Sequence, residues 1–235
     1  MIGVLARSEA SACNDLGVLH LPELLPIVLV HGGLYDEPPV TGQWFWVETG
    51  VAPMLARRNV EVVVHERPRE PASWAEELAA LVDTIEASGH DRVAIVAGSN
   101  GCSVALRLLL DRPDLVARTL LCWPATAGDP VVDGLARIVI ADVHDDATAT
   151  ALLEGDPVRG VSRDELASID SEVVIYPSMP ENKAHQRSTI TALLTSISGV
   201  MLVGGSPEPF HDDFADFLEG YVDLLEAFSK VMHDD

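Results

Sequence analysis

The run Val96-Ala97-Gly98-Ser99-Asn100-Gly101-Cys102 puts a serine between a β-rich stretch and a helical one. A serine becomes a nucleophile when its hydroxyl is exposed and a neighbouring base takes its proton. A sharp strand-to-helix turn provides the exposure, and it needs small residues two before and two after the serine. Ala97 and Gly101 meet that need, although glycine is commoner at the first position. The run therefore reads as a nucleophile elbow, with Ser99 strained at the top of a sheet. A second run, Val30-His31-Gly32-Gly33-Leu34, closes an apolar stretch. A tetrahedral oxyanion needs two preorganised N–H donors. The backbone N–H of Asn100 supplies one, and that of Gly33, or alternatively of Leu34, the other. His31 reads as a brace for this loop. Trp123 and Leu34 stand near strand ends and are expected to line a substrate pocket, with Trp44, Phe45 and Trp46 as further apolar candidates.

The elements that must hold these residues alternate along the chain. Strands are expected at Pro26–His31, Val60–His65, Arg92–Ala97, Arg118–Trp123, Glu172–Tyr176 and Gly199–Val203. The first is apolar on both faces, as a buried parallel strand is. Between strands, Trp74, Leu78, Leu81, Val82 and Ile85 recur at helical spacing. Ser73 and Glu76 form a capping-box pattern ahead of them. Val104, Leu108 and Leu109 make a second stripe. Phe214, Phe217, Leu218, Tyr221, Leu224, Leu225 and Phe228 make a third. This alternation predicts an α/β fold, a mostly parallel sheet with helices on both faces. Its functional residues belong at the carboxyl ends of the strands. One domain over 1–235 is expected, with a short hairpin within the first 25 residues. About 48 residues separate the fourth and fifth strands. They read as a lid insertion over 125–170, with helices near Ala147–Leu153 and Arg163–Ile169.

Composition narrows the partners. Fifteen basic residues against 37 acidic ones give a net charge of −22, which argues against nucleic acid and anionic membranes. Lys183 and Lys230 are the only lysines. Either a genomic base-composition bias or adaptation to high salt accounts for this balance. No signal-peptide pattern opens the chain and no apolar run is long enough to span a bilayer, so a cytoplasmic protein is expected. Cys13, Cys102 and Cys122 form neither a disulfide framework nor a zinc pattern. No phosphate loop, dinucleotide fingerprint or metal cluster is present, so no cofactor and no metal are expected. The expected partner is a small-molecule substrate, and a homodimer is allowed.

From about Pro26 to Phe228 the chain resembles the α/β-hydrolase fold superfamily. The HGG loop, the AGSNG elbow, the strand–helix order and the insertion after the fourth strand carry the resemblance. In that superfamily the triad runs Ser, acid, His along the chain. The resemblance implies a catalytic triad of Ser99 as nucleophile, Glu181 after the fifth strand as acid and His211 after the sixth as base. The approach to that histidine, Gly-Gly-Ser-Pro-Glu-Pro-Phe, departs from the usual short Gly-His ending. Asp129 is an alternative acid and His185 an alternative base. Glu208, Asp212 and Asp213 read as solvated charges. The expected activity is hydrolysis of a small, neutral, largely apolar carboxylic ester, lactone or thioester through an acyl-enzyme at Ser99. A lyase, cyclase or cofactor-free perhydrolase on the same fold is the alternative, as is a non-catalytic binding protein.

Overall fold

The computed structural model describes residues 24–33 and 39–231. The expected N-terminal hairpin and Leu34 lie outside those residues. Six strands, β1 (Ile27–Val30), β2 (Val62–His65), β3 (Val93–Gly98), β4 (Val116–Cys122), β5 (Val173–Tyr176) and β6 (Met201–Leu202), form one all-parallel sheet in the order β2-β1-β3-β4-β5-β6. Among the described residues, eight α-helices accompany it: α1 (Val51–Arg57), α2 (Trp74–Ser88), α3 (Gly101–Asp111), α4 (Pro130–Ala141), α5 (Asp146–Leu153), α6 (Arg163–Ala167), α7 (Arg187–Ser196) and α8 (Phe214–Ser229). A π-helical turn covers Gln43–Glu48. No helix among the described residues is long and apolar enough to cross a membrane.

Alternation along each strand divides the core. Val28, Val30, Val93, Ile95, Leu121 and Ile175 face α2, α3 and α7, where they meet Leu81, Ile85, Leu106 and Leu193. Their neighbours Ile27, Leu29, Ala94, Val96, Leu120 and Val174 face the other way, onto α1 and α8. Successive strand residues point to opposite faces, so a sheet covered on both sides needs unbroken apolar strands. Each fully buried Ile, Leu or Val side chain contributes roughly 1.5–3 kcal/mol. The strand β6 sits at the edge, is two residues long, and leaves Met201 and Leu202 half exposed.

The helix α2 begins as its sequence pattern predicts, with one change. Ser73 Oγ accepts the Glu76 N–H at 3.2 Å. The Glu76 carboxylate accepts the Ala72 N–H at 2.8 Å, one residue earlier than a capping box requires. Ser73→Ala is expected to cost about 1 kcal/mol, read from the urea unfolding midpoint, because it orphans one helix-end donor.

Between β4 and β5 the chain forms α4, α5 and α6. The helix α4 has no counterpart among the sequence expectations; its stripe of Val131, Leu135 and Ile138 faces solvent. Ile140, Ala149, Leu152 and Leu153 make a small core of their own. Leu166 and Ile169, by contrast, join the main core.

Candidate active site

Ser99 sits between β3 and α3 with φ +51°, the left-handed region that costs a β-carbon-bearing residue strain energy. Two close approaches hold it there. A Cβ on Gly101 would lie 2.5 Å from the His31 carbonyl oxygen. A Cβ on Gly32 would lie 2.7 Å from Ser99 Cβ and 2.9 Å from the Phe45 ring. The loop after β1 and the elbow after β3 therefore touch through glycine. Strand β1 is hydrogen-bonded beside β3, which brings the Gly32–Gly33 peptide next to the serine.

Ser99 Oγ is 2.9 Å from His185 Nε2. His185 lies in the loop between β5 and α7. Its Nδ1 is 2.7 Å from Glu208 Oε1, and Glu208 lies in the loop after β6. The oxygen lies off the N–H direction, so this is a close polar contact rather than an aligned hydrogen bond. Catalytic hydrogen bonds are often poorly aligned in the ligand-free state. Ser178 Oγ and Asn182 Nδ2 also donate to Glu208 Oε1, at 2.6 and 2.7 Å. Burial by itself would raise the Glu208 carboxyl. The close contact with His185 and the hydrogen bond from Ser178 outweigh it and hold the group at about 2, so Glu208 is ionised at neutral pH.

Asn182 joins the two loops. While Nδ2 holds Glu208, its Oδ1 accepts the N–H groups of Ala184 and His185 at 2.9 and 3.1 Å. Thr126, after β4, accepts the Gln186 N–H at 2.9 Å and donates its own N–H to the Ala184 carbonyl at 2.7 Å. His185 is therefore fixed from both sides.

The structure does not bring Glu181 and His211 to Ser99. Glu181 is exposed, and its Oε2 accepts the Arg187 N–H at 2.7 Å, so it serves the positive end of α7. His211 is exposed, and its Nδ1 accepts the Asp213 N–H at 3.3 Å. Asp129 is the N-cap of α4, accepting from Val131 and Val132 at 2.9 and 3.0 Å, and is not directed at a histidine. The groups in contact with Ser99 come from the same two loops, after β5 and after β6, but the histidine stands on the first and the glutamate on the second. In the sequence Glu208 lies between Pro207 and Pro209, which restrict the backbone on both sides of it.

Trp123 corrects a second expectation. It is fully buried and cannot line a pocket. Its ring packs among Phe45, Trp46, Tyr176, Phe214 and Tyr221. Its Nε1–H donates to the Ser206 carbonyl at 3.0 Å, two residues before Glu208, so it anchors the acid's loop from within. An apolar path does lead outward from the serine. Phe45 packs on Gly98 and Gly32, Phe210 meets Phe45 edge-on at 4.9 Å, and Trp44 stacks on Phe210 at 4.5 Å. Trp44 and Phe210 are both exposed. A cavity of about 720 Å³ borders Gly32, Gly33, Pro39, Val40 and Ile138 but not Ser99.

Around the loop after β1, His31 is a brace as expected. Burial and the Arg67 charge hold its imidazole near 3, so it is neutral. On the elbow, Asn100 presents its backbone at the start of α3, while its side-chain Oδ1 accepts from Arg159 Nη1 at 3.0 Å.

No protein-family model and no curated protein matches the sequence. Solved structures do match. A meta-cleavage product hydrolase from Pseudomonas fluorescens IP01 superimposes with a TM-score of 0.60 at 17% identity, over 88% of this chain and 91% of that one. Est816, an N-acyl homoserine lactone degrading enzyme, gives 0.64 at 18% identity over 88% and 94%. A serine hydrolase from Cycloclasticus zankles gives 0.62 at 18% identity over 91% and 92%. The chain has the α/β-hydrolase fold.

Proposed function

We propose that the protein is a serine hydrolase that cleaves small, neutral, largely apolar carboxylic esters, lactones or thioesters. The observation that carries this reading is the contact chain Ser99–His185–Glu208, assembled at the carboxyl ends of β3, β5 and β6. The hydrolases among the structural matches, including a lactone-degrading one, support it.

In this scheme His185 Nε2 takes the Ser99 hydroxyl proton as Oγ attacks the acyl carbon. The oxyanion forms beside the backbone N–H groups of Gly33 and Asn100. On collapse the bond to the leaving alcohol or thiol breaks, and His185 passes it the proton. Water then attacks the acyl-enzyme, giving its proton to His185 and its hydroxyl to the acyl carbon. The carboxylic acid leaves and Ser99 recovers its proton. Glu208 holds the imidazole and stabilises the imidazolium. The segment 125–170 acts as a lid on this reading: Arg159 reaches the elbow, and α4 keeps an apolar face toward solvent.

The rim of Trp44 and Phe210 suits an apolar substrate group. The charge of −22 disfavours anionic substrates. A fluorophosphonate probe is expected to label the wild-type protein once, at Ser99. p-Nitrophenyl butyrate is expected to turn over at least about fivefold faster than its ω-carboxylate analogue, since one elementary charge at a screened approach is worth about 1 kcal/mol or more. Absence of labelling in folded protein would remove the nucleophile from the scheme. Faster turnover of the anion would remove the neutral-substrate claim.

A further inference from the structure

The scheme above makes no use of a buried ion pair that lies against the glycine loop. Arg67 follows β2, and its side chain is 5% exposed while that of its partner Glu77, on α2, is 2% exposed. Arg67 Nε and Nη2 donate to Glu77 Oε2 and Oε1 at 3.0 and 2.5 Å. This two-point fork sets the plane of the guanidinium. The remaining nitrogen, Nη1, then faces three successive carbonyl oxygens at the end of β1: His31 at 3.3 Å, Gly32 at 3.2 Å and Gly33 at 3.0 Å. The Arg67 backbone N–H donates to His31 Nε2 at 3.0 Å, and His31 Nδ1 donates to the Gly32 oxygen at 2.7 Å.

These bonds set the direction of the loop's donors. In a planar trans peptide the carbonyl and the following N–H point opposite ways. A Gly32 carbonyl drawn onto Arg67 and His31 therefore turns the Gly33 N–H away from the guanidinium. Buried ion pairs add little stability over apolar residues of similar volume. What this one supplies that apolar residues would not is a fixed cation under three carbonyls.

We infer that Arg67, held by Glu77, is a positioning residue that orders the Gly33 donor of the oxyanion hole before substrate arrives. The inference rests on the hydrolase reading above. Arginine is required because lysine cannot grip Glu77 by two nitrogens and still reach the carbonyls.

The test uses Arg67→Lys and the double variant Arg67→Met/Glu77→Leu, which removes both charges together. Each is measured for urea unfolding, for kcat and KM on p-nitrophenyl butyrate, and for affinity toward a trifluoromethyl ketone, whose adduct with Ser99 carries an oxyanion. The double variant is expected to fold with a lowered unfolding midpoint, since the His31 and Gly33 carbonyls lose a donor. Its kcat is expected to fall about a hundredfold, as for loss of one oxyanion donor. KM should stay within about threefold, and ketone affinity should fall in parallel with kcat. Arg67→Lys is expected to change kcat and ketone affinity in the same direction, and it decides alone should the double variant fail to fold. Either folded variant with kcat and ketone affinity within about threefold of wild type overturns the inference. Wild-type protein that neither turns over esters nor accepts the fluorophosphonate overturns the hydrolase reading, and the inference with it.

Discussion

His185→Ala is expected to lower kcat/KM for p-nitrophenyl butyrate by about ten-thousand-fold or more, whereas His211→Ala is expected to stay within about threefold. The contrast follows from where the two rings lie. His185 Nε2 is 2.9 Å from Ser99 Oγ, the distance at which a general base accepts a proton. His211 is exposed and turned to its own backbone at Asp213. Removing the base leaves a serine hydroxyl that is almost wholly protonated at neutral pH. The residual rate then comes from the oxyanion donors and binding alone. His211→Ala should keep the wild-type unfolding free energy within about 0.5 kcal/mol, since its ring is exposed, whereas His185→Ala should fold but lose the part of the stability that the His185 contact gives the Glu208 anion. Full activity in His185→Ala, or its loss in His211→Ala, would return the base to the loop after β6.

Glu208→Gln is expected to lower kcat by about a thousand-fold or more with the fold intact, and Glu181→Gln to leave it near wild type. Glutamine keeps the shape but presents no anion to the imidazolium, and its amide can favour the wrong tautomer. The same substitution carries a pH signature. The Glu208 carboxyl lies at about 2, against an ordinary 4.5. A depressed acid contributes stability that is complete above its ordinary range and disappears as pH falls toward the folded value. The contribution, of order 3 kcal/mol, should therefore be present at pH 7 and lost between about 4.5 and 2. The unfolding free energies of wild type and Glu208→Gln are expected to converge over that window. A gap that stayed constant with pH would mean that Glu208 is not held as an anion by His185 and Ser178.

Much of this architecture can be read in the order of the residues. Strands β1, β3 and β5 are apolar at every position because both faces are covered, so their place inside a parallel sheet follows from local pattern. The elbow is legible for a related reason. Gly101 is demanded by a backbone oxygen 2.5 Å from where its Cβ would be, and such a demand leaves a small residue at a fixed distance from the serine. The helix α4 leaves a helical stripe in the sequence too, Val131, Leu135 and Ile138; what the order of residues does not tell is that this stripe faces solvent rather than the core.

The partner residues of Ser99 were decided elsewhere. Local spacing places one loop after β5 and another after β6, and each contains both a histidine or glutamate and a rival. Glu181 and His185 compete in the first; Glu208 and His211 compete in the second. Which member turns inward depends on bonds made across the fold. Thr126, after β4, and Asn182 hold His185 inward. Trp123 Nε1 pins Ser206 ahead of Glu208. The start of α7 takes Glu181 outward instead. The contacts of Thr126 and Trp123 span 60 and 83 positions along the chain and follow no spacing that a local pattern could report. Periodicity reports on the near neighbours that make strands, turns and helices, and so determined where a serine would stand. The direction of a loop side chain is settled by the distant groups that bond it, and only the folded chain brings those together.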